Sequence, residues 1–229
     1  MQIDALILVG GLGTRLRPVV ADRPKILAPV AGEPFVVHLI RQVERAGVRR
    51  AILATGYRAD MVQDVIGGHV GGVEIFYSRE DEPLGTGGAI RLALPHVNSD
   101  PVLILNGDSY CDADLASMIS SHRAPATILA TRVEDVSRFG KLAIDANQNV
   151  QRFEEKGGSG AGYINAGVYV LSRALIESIL PVKPVSIERD VFPKWIGRGL
   201  RAFPTAGKFI DIGTPESYRT ADAFFGKNV

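Results

Sequence analysis

Residues 3–18 read "IDALILVGGLGTRLRP": a continuous apolar run, then glycines at 10, 11 and 13, then arginines at 15 and 17. An apolar run without alternation is the pattern of a strand covered on both faces, and such strands belong to parallel sheets flanked by helices. Glycines at its end let backbone N–H groups approach phosphate oxygens with no side chain in the way. The stretch therefore predicts a buried first strand that delivers an anion-binding loop. It matches neither of two common phosphate loops: it lacks the lysine-then-hydroxyl ending of one, and Leu16 stands where the dinucleotide fingerprint needs its third glycine. The chain beyond the glycines is cationic instead, with Arg15, Arg17 and then Lys25 in "RPKILAPV", behind a proline that stiffens the approach. Cations so placed would stabilise charge growing on a departing pyrophosphate. A plain glycine turn with solvated arginines is the alternative for this stretch alone.

Outward from it the same texture repeats. Apolar runs recur at 50–55 ("RAILAT"), 73–78 ("VEIFYS"), 101–106 ("PVLILN") and 126–131 ("ATILAT"), separated by stretches such as "FVVHLIRQVERAG" (35–47) with helical apolar spacing. Alternating strands and helices predict an α/β fold with a doubly wound, mainly parallel sheet, whose ligands bind beyond the carboxyl ends of the strands. Past residue 135 or so, "GKLAID", "NVQRFEEK" and "INAGVYVL" read as short strands with little helix between them, an inserted or appended antiparallel part. Helical spacing returns in "IERDVFPKWIGRG" and "PESYRTADAFF", around a short strand "KFIDIG". With no repeat or low-complexity linker, 229 residues suit one domain, residues 1–229.

Composition excludes several classes. With 26 basic and 25 acidic residues the charge is balanced, so no nucleic-acid surface is expected and an anionic ligand must be met locally. The single cysteine, Cys111, excludes an internal disulfide framework, and no run has the length of a membrane span or the shape of a signal peptide. No membrane partner and a cytoplasmic location are expected.

Two aspartates stand out. Asp108, in "ILNGDSYCDAD", falls just past an apolar strand on the crest where such sheets bind ligands, and a carboxylate there suits magnesium, although a turn aspartate is the plainer reading. Asp211 sits inside the short apolar strand "KFIDIG", a costly place for an unpaired charge. If the two converge, a divalent metal would relieve their repulsion and bridge nucleotide phosphates.

Together these pieces resemble the sugar nucleotidyltransferases, which join a sugar 1-phosphate to a nucleoside triphosphate and release pyrophosphate. The resemblance runs nearly the whole chain, in order: "GGLGTRLRP", the lysine of "RPKILAPVAGEPF", "EDEPLGTGGAI", "NGD", "FEEKG", "YINAGVYVL" and "FIDIG". It implies a Rossmann-like nucleotidyltransferase fold, with a nucleotide-binding part at about 1–135 and a small antiparallel sugar-binding part at about 136–229. Position by position, it implies that Leu8, Gly10, Gly11, Gly13, Thr14, Gly85 and Thr86 hold the nucleotide and that Arg15 and Lys25 grip its phosphates. Asn106, Gly140, Glu154, Lys156, Asn165 and Gly167 would serve the sugar phosphate, and Asp108 with Asp211 would hold Mg2+; Arg15, Lys25 and Asp108 are the expected catalytic residues. Where relatives often read "EKP", this chain has "EKGGSG" at 155–160. Within the family the short length and the endings look most like the heptose 1-phosphate guanylyltransferases. That implies GTP and D-glycero-α-D-manno-heptose 1-phosphate as substrates, and GDP-heptose for surface polysaccharide as product. Mannose 1-phosphate guanylyltransferases and short uridylyl- or thymidylyltransferases remain alternatives.

Other features read more plainly. "DAD" at 112–114 matches the D-x-D of glycosyltransferases that consume nucleotide sugars, but Asp112 reads better as the N-cap of "LASMISSH". A silent nucleotide-sugar sensor would not need both aspartates and Lys25. Cys111 reads as packing, and the four histidines lack metal-ligand spacing. Phe192 and Trp195 are assigned to core or to the subunit contact of a homodimer.

Overall fold

In a computed structural model, described over residues 2–154, 158–180 and 184–226, the apolar runs become strands close to the expected bounds. The first half contains β1 (Ala5–Leu8), β2 (Pro29–Val30), β3 (Glu33–Pro34), α1 (Phe35–Arg45), β4 (Arg50–Thr55), α2 (Ala59–Ile66), β5 (His69–Val70), β6 (Val73–Arg79) and α3 (Gly85–Ala93). Then come β7 (Val102–Asn106), β8 (Ser109–Cys111), α4 (Leu115–Ser121), β9 (Ala126–Val133), β10 (Leu142–Ile144), β11 (Val150–Phe153) and β12 (Gly162–Leu171). The chain continues through α5 (Arg173–Glu177), α6 (Phe192–Trp195), β13 (Leu200–Thr205), β14 (Phe209–Asp211), α7 (Pro215–Arg219) and α8 (Ala221–Phe225).

β1 lies at the centre, parallel to β4 on one side and to β7 on the other, and β4 continues in parallel to β6. Strand order therefore reverses between β1 and β7, and the crevice of a doubly wound sheet opens there, outside the carboxyl ends at Leu8 and Asn106. Residues of β1 alternate between two cores. Ala5 and Ile7 join the layer of α1, α2 and α4, whereas Leu6 joins that of α3, α5 and α6, which is why the run shows no polar alternation.

α1 shows how the sequence sets a layer. Pro34 enters it with extended backbone, Phe35, Val36, Leu39, Ile40 and Val43 form its buried stripe, and Gly47 with φ +90° turns the chain away. Burial of each such side chain contributes about 1.5–3 kcal/mol before ordering entropy is subtracted.

The antiparallel part is not an appendage. β12 runs antiparallel between β7 and β9 in the main sheet: Val168–Leu171 pair with β7, while the strand's other edge pairs with β9. β10 and β11 extend this sheet beyond β12's first half, and β13 completes it beside β9. Strand direction has no local signature, because a buried strand reads alike both ways. Three smaller differences also appear. The N-cap of α4 is Asp114, whose carboxylate accepts from Ser117 N–H at 2.9 Å, and not Asp112. "IERDVFPKW" forms a π-helical turn followed by the single turn of α6, and "PESYRTADAFF" breaks at Thr220 into α7 and α8. Phe192 is fully buried, packed edge-on against Tyr169 and parallel to Phe153, so it serves the core. Cys111 is also fully buried, and burial pushes its thiol up to about 11. No helix among the described residues is long and apolar enough to cross a membrane.

Candidate active site

A cavity of about 300 Å³ opens at the β1/β7 crevice, and Leu8, Gly10, Gly11, Lys25, Gly85, Thr86, Asn106 and Asp108 all line it. Segments distant in sequence thus meet where the fold predicts a ligand. Lys25 is held by its own turn: Pro24 precedes it, and Ile26 and Leu27 anchor it in the core. Its Nζ donates to Asp108 Oδ2 at 2.5 Å, with side chains only 16% and 33% exposed. A cation and a carboxylate therefore stand together in the lining of an otherwise mostly apolar pocket.

Asn106 ends β7, and its buried Oδ1 has no hydrogen-bond partner among the described residues. A buried acceptor left unsatisfied in a cleft is a place for a ligand donor. Gly167 sits above it in a bulge of β12 with φ +74°, where an added Cβ would lie 2.8 Å from both Asn106 Nδ2 and Ser109 Oγ. That crowding makes Gly167 a packing requirement of the cleft floor. Gly167→Ala is expected to cost about 2–4 kcal/mol from left-handed strain plus overpacking, a Tm loss on the order of 10 °C at this length. An unchanged Tm with only the sugar KM raised would assign the glycine to direct substrate contact.

The remaining expected residues lie outside that cavity's lining. Gly13 packs against Lys25, with its would-be Cβ 3.1 Å from that of the lysine, while Thr14 and Arg15 are exposed on the loop. The Arg15 guanidinium reaches toward Gly213, beside Asp211, whose Oδ1 accepts from Gly213 N–H. Asp211 lies across from Ser109 in the β14–β8 ladder, and Ile212 N–H donates to the Asp108 carbonyl at 2.8 Å. Asp108, in the turn between β7 and β8, and Asp211, at the end of β14, are thus joined through adjacent backbone, although Asp211 lines a second recess with Arg138 and Lys208. Among the described residues no three His, Cys, Asp or Glu side chains gather as a complete metal cage. Two hard carboxylates near a glycine loop nevertheless have the chemistry that suits magnesium, which takes one or two carboxylates and completes its shell from phosphates and water.

Of the residues expected at the sugar phosphate, Gly140 has φ +59° ahead of β10, and Glu154 follows β11 with its carboxylate accepting from Arg152 at 2.7 and 2.9 Å. Lys156 lies outside the described residues. Asn165 donates from Nδ2 to Tyr169 OH at 3.0 Å and accepts from Gly167 N–H at 2.9 Å.

Sequence reasoning missed Glu80. It follows β6, lines the cleft, and accepts from Leu84 N–H at 3.2 Å; a Cβ on Gly10 would come within 2.6 Å of its Oε1, so the glycine loop gives it room. Burial raises its carboxyl above the ordinary range, opposed by the Leu84 hydrogen bond. The only local hint was an acidic residue at the head of the glycine-rich "EDEPLGTGGAI".

A glycine loop, a lysine and an aspartate gathered at the switch point of a doubly wound sheet define an enzyme that handles nucleotide phosphates. The chain belongs to the nucleotidyl transferase family, whose model matches residues 4–228. It is 37% identical over 223 residues to D-glycero-alpha-D-manno-heptose 1-phosphate guanylyltransferase of Aneurinibacillus thermoaerophilus, with 96% of each chain covered. It is 38% identical over 225 residues to mannose-1-phosphate guanylyltransferase of Mycobacterium tuberculosis, covering 95% of this chain and 63% of that one. In three dimensions it superposes on HddC from Yersinia pseudotuberculosis complexed with GMP-PN with a TM-score of 0.87 and 40% identity, over 98% of this chain and 100% of that one.

Proposed function

We propose that the chain transfers a guanylyl group from GTP to a sugar 1-phosphate, with D-glycero-α-D-manno-heptose 1-phosphate its preferred acceptor, releasing pyrophosphate and forming GDP-heptose. The observation that carries this reading is the Lys25–Asp108 pair beside the glycine loop in the crevice. A phosphate oxygen of the sugar 1-phosphate attacks the α-phosphorus of GTP in line, and the bond to the bridging oxygen of pyrophosphate breaks. A phosphate monoester is already largely ionised at neutral pH, so the attacking oxygen needs no general base. The sugar C1–O bond is untouched, and its anomeric configuration is retained.

Backbone N–H groups of the Gly10–Gly13 loop orient the triphosphate, and Lys25 with Arg15 stabilises charge on the departing pyrophosphate. Asp108 and Asp211 hold magnesium, which when bound neutralises phosphate charge. In this division residues to about 135 serve the nucleotide and later ones the sugar, with Glu154, Lys156 and Asn165 on the sugar phosphate. Guanine presents N1–H and N2–H donors, and Glu80 offers the carboxylate acceptor such donors require.

The deciding assay measures pyrophosphate release for the four common NTPs and dTTP against heptose, mannose, glucose and N-acetylated sugar 1-phosphates. The expected kcat/KM maximum is at GTP with the heptose, and mannose 1-phosphate retains some activity because one hydroxymethyl-sized group is read weakly. A maximum at dTTP with glucose 1-phosphate, or at UTP with an N-acetyl sugar, would overturn the assignment. In the same assay Glu80→Gln reduces the preference for GTP over ATP by about tenfold to a hundredfold, since losing a buried hydrogen-bond partner costs about 1–3 kcal/mol. Only the ionised carboxyl accepts from both guanine donors. Its raised pKa therefore places the loss of this preference, on acidification, at a higher pH than an exposed glutamate would give, with full preference above it. An unaltered base preference in Glu80→Gln contradicts this role.

A further inference from the structure

Glu188 lies on the π-helical turn Ile187–Val191, on the sugar-side half of the chain, yet its carboxylate reaches the nucleotide cleft. Thr86, on the cleft wall, donates its hydroxyl to Glu188 Oε2 at 2.9 Å, as does Ser186 at 2.9 Å. The other oxygen, Oε1, accepts from Tyr169 OH at 3.2 Å, and Tyr169 in turn accepts from Asn165 Nδ2 at 3.0 Å. Asn165 closes the series onto Gly167 N–H at 2.9 Å, directly above Asn106 in the cleft floor.

The series is rigidly mounted at its nucleotide end. Thr86 Oγ1 accepts from Ile187 N–H at 2.8 Å, Val185 N–H donates to the Leu84 carbonyl at 2.8 Å, and Gly87 N–H donates to the Val185 carbonyl at 2.8 Å. The start of α3 and the 185–188 segment are therefore one mechanical unit. At the other end Tyr169 is fully buried in β12, against Phe192.

We propose that Glu188 is a positioning residue that couples the two subsites, fixing Thr86 on the nucleotide wall to Tyr169 and Asn165 on the sugar-side strand. A ligand that displaces Thr86 is felt at Asn165 through the shared carboxylate, so each ligand favours the arrangement of this joined network that the other binds. Only an acceptor on both oxygens completes this connection. In a carboxamide one of the two atoms is a donor, so either Thr86 and Ser186 or Tyr169 loses its acceptor.

The proposal rests on the two-substrate reading above, and its test uses whichever NTP and sugar 1-phosphate the wild-type chain turns over fastest. A different base or sugar overturns the GTP–heptose assignment and leaves this test intact. Calorimetry on the full chain measures the Kd of that nucleotide's α,β-imido analogue, which has no bridging oxygen to release at the α-phosphorus, with and without saturating sugar 1-phosphate; reciprocity makes one direction sufficient. The wild type is expected to bind the analogue about fivefold or more tightly when the sugar is present. Glu188→Gln brings that ratio below about twofold while the Kd of the analogue alone changes little. Tyr169→Phe, which removes only one hydroxyl, does the same and serves should Glu188→Gln fold poorly. A purely structural role would lower Tm and weaken both Kd values together without moving their ratio. Wild-type ratios in both variants, or a wild-type ratio near one, would overturn the coupling.

Discussion

Asp108→Asn lowers turnover by about a hundredfold or more while the fold persists. The substitution keeps the shape of the side chain, and the backbone bond from Ile212 to the Asp108 carbonyl does not involve it. What it removes is charge. A neutral carboxamide is a poor magnesium ligand, and losing a preorganised electrostatic contact at the reacting phosphates typically costs about 10²–10³ in rate. It also leaves Lys25, whose side chain is only 16% exposed, without its counter-charge, so a modest Tm decrease accompanies the kinetic loss. The measurement is steady-state pyrophosphate release across a magnesium titration, with circular dichroism to verify the fold. Near-normal turnover with wild-type magnesium dependence would remove Asp108 from the metal site.

Lys25→Ala acts on the other member of the pair and is expected to reduce kcat by about 10²–10³, with a smaller effect on the KM for nucleotide. In the proposed mechanism its ammonium meets charge that is greatest as pyrophosphate leaves, so its contribution would belong to the transition state more than to nucleotide binding. Because the two side chains are in direct contact, the double variant should be less impaired than the product of the single losses, which a double-mutant cycle reads directly. A pure rise in nucleotide KM, with kcat unchanged at saturation, would reassign Lys25 to ground-state binding.

The sequence singled out both residues because each follows a strong local pattern: Asp108 comes two residues after an apolar strand that ends in Asn106, and Lys25 follows a proline and precedes two buried residues; the fold brings them into contact. The strand at 50–55 and the start of α1 were legible for the same reason, since period and burial agree there. Glu80 was not, because an acid in "REDEP" looks like any solvated charge until the fold turns it over Gly10 and Gly56. Glu188 was hidden by its apparent helical spacing; the π-helical turn points it toward Thr86, and no propensity encodes that turn. The antiparallel placement of β12 was likewise invisible, because it depends on which distant edge the strand meets. Asp112 and Asp114 were confused because either spacing suits a cap, and the choice depends on where the helix begins.

During synthesis β1 emerges before either neighbour, and Ala5 must wait for Ala51 and then for Leu103. β7 waits in turn, since Leu105 pairs with Val168 only after the intervening polypeptide has been made. At ribosomal speeds of about 5–20 residues per second, those roughly 60 residues leave a central apolar strand edge uncovered for about 3–12 s. The nascent polypeptide therefore passes through a stage in which part of the sheet presents an open strand edge, the kind of border that templates pairing with other chains. Such late closure also slows spontaneous refolding, because most strand partners are distant along the chain.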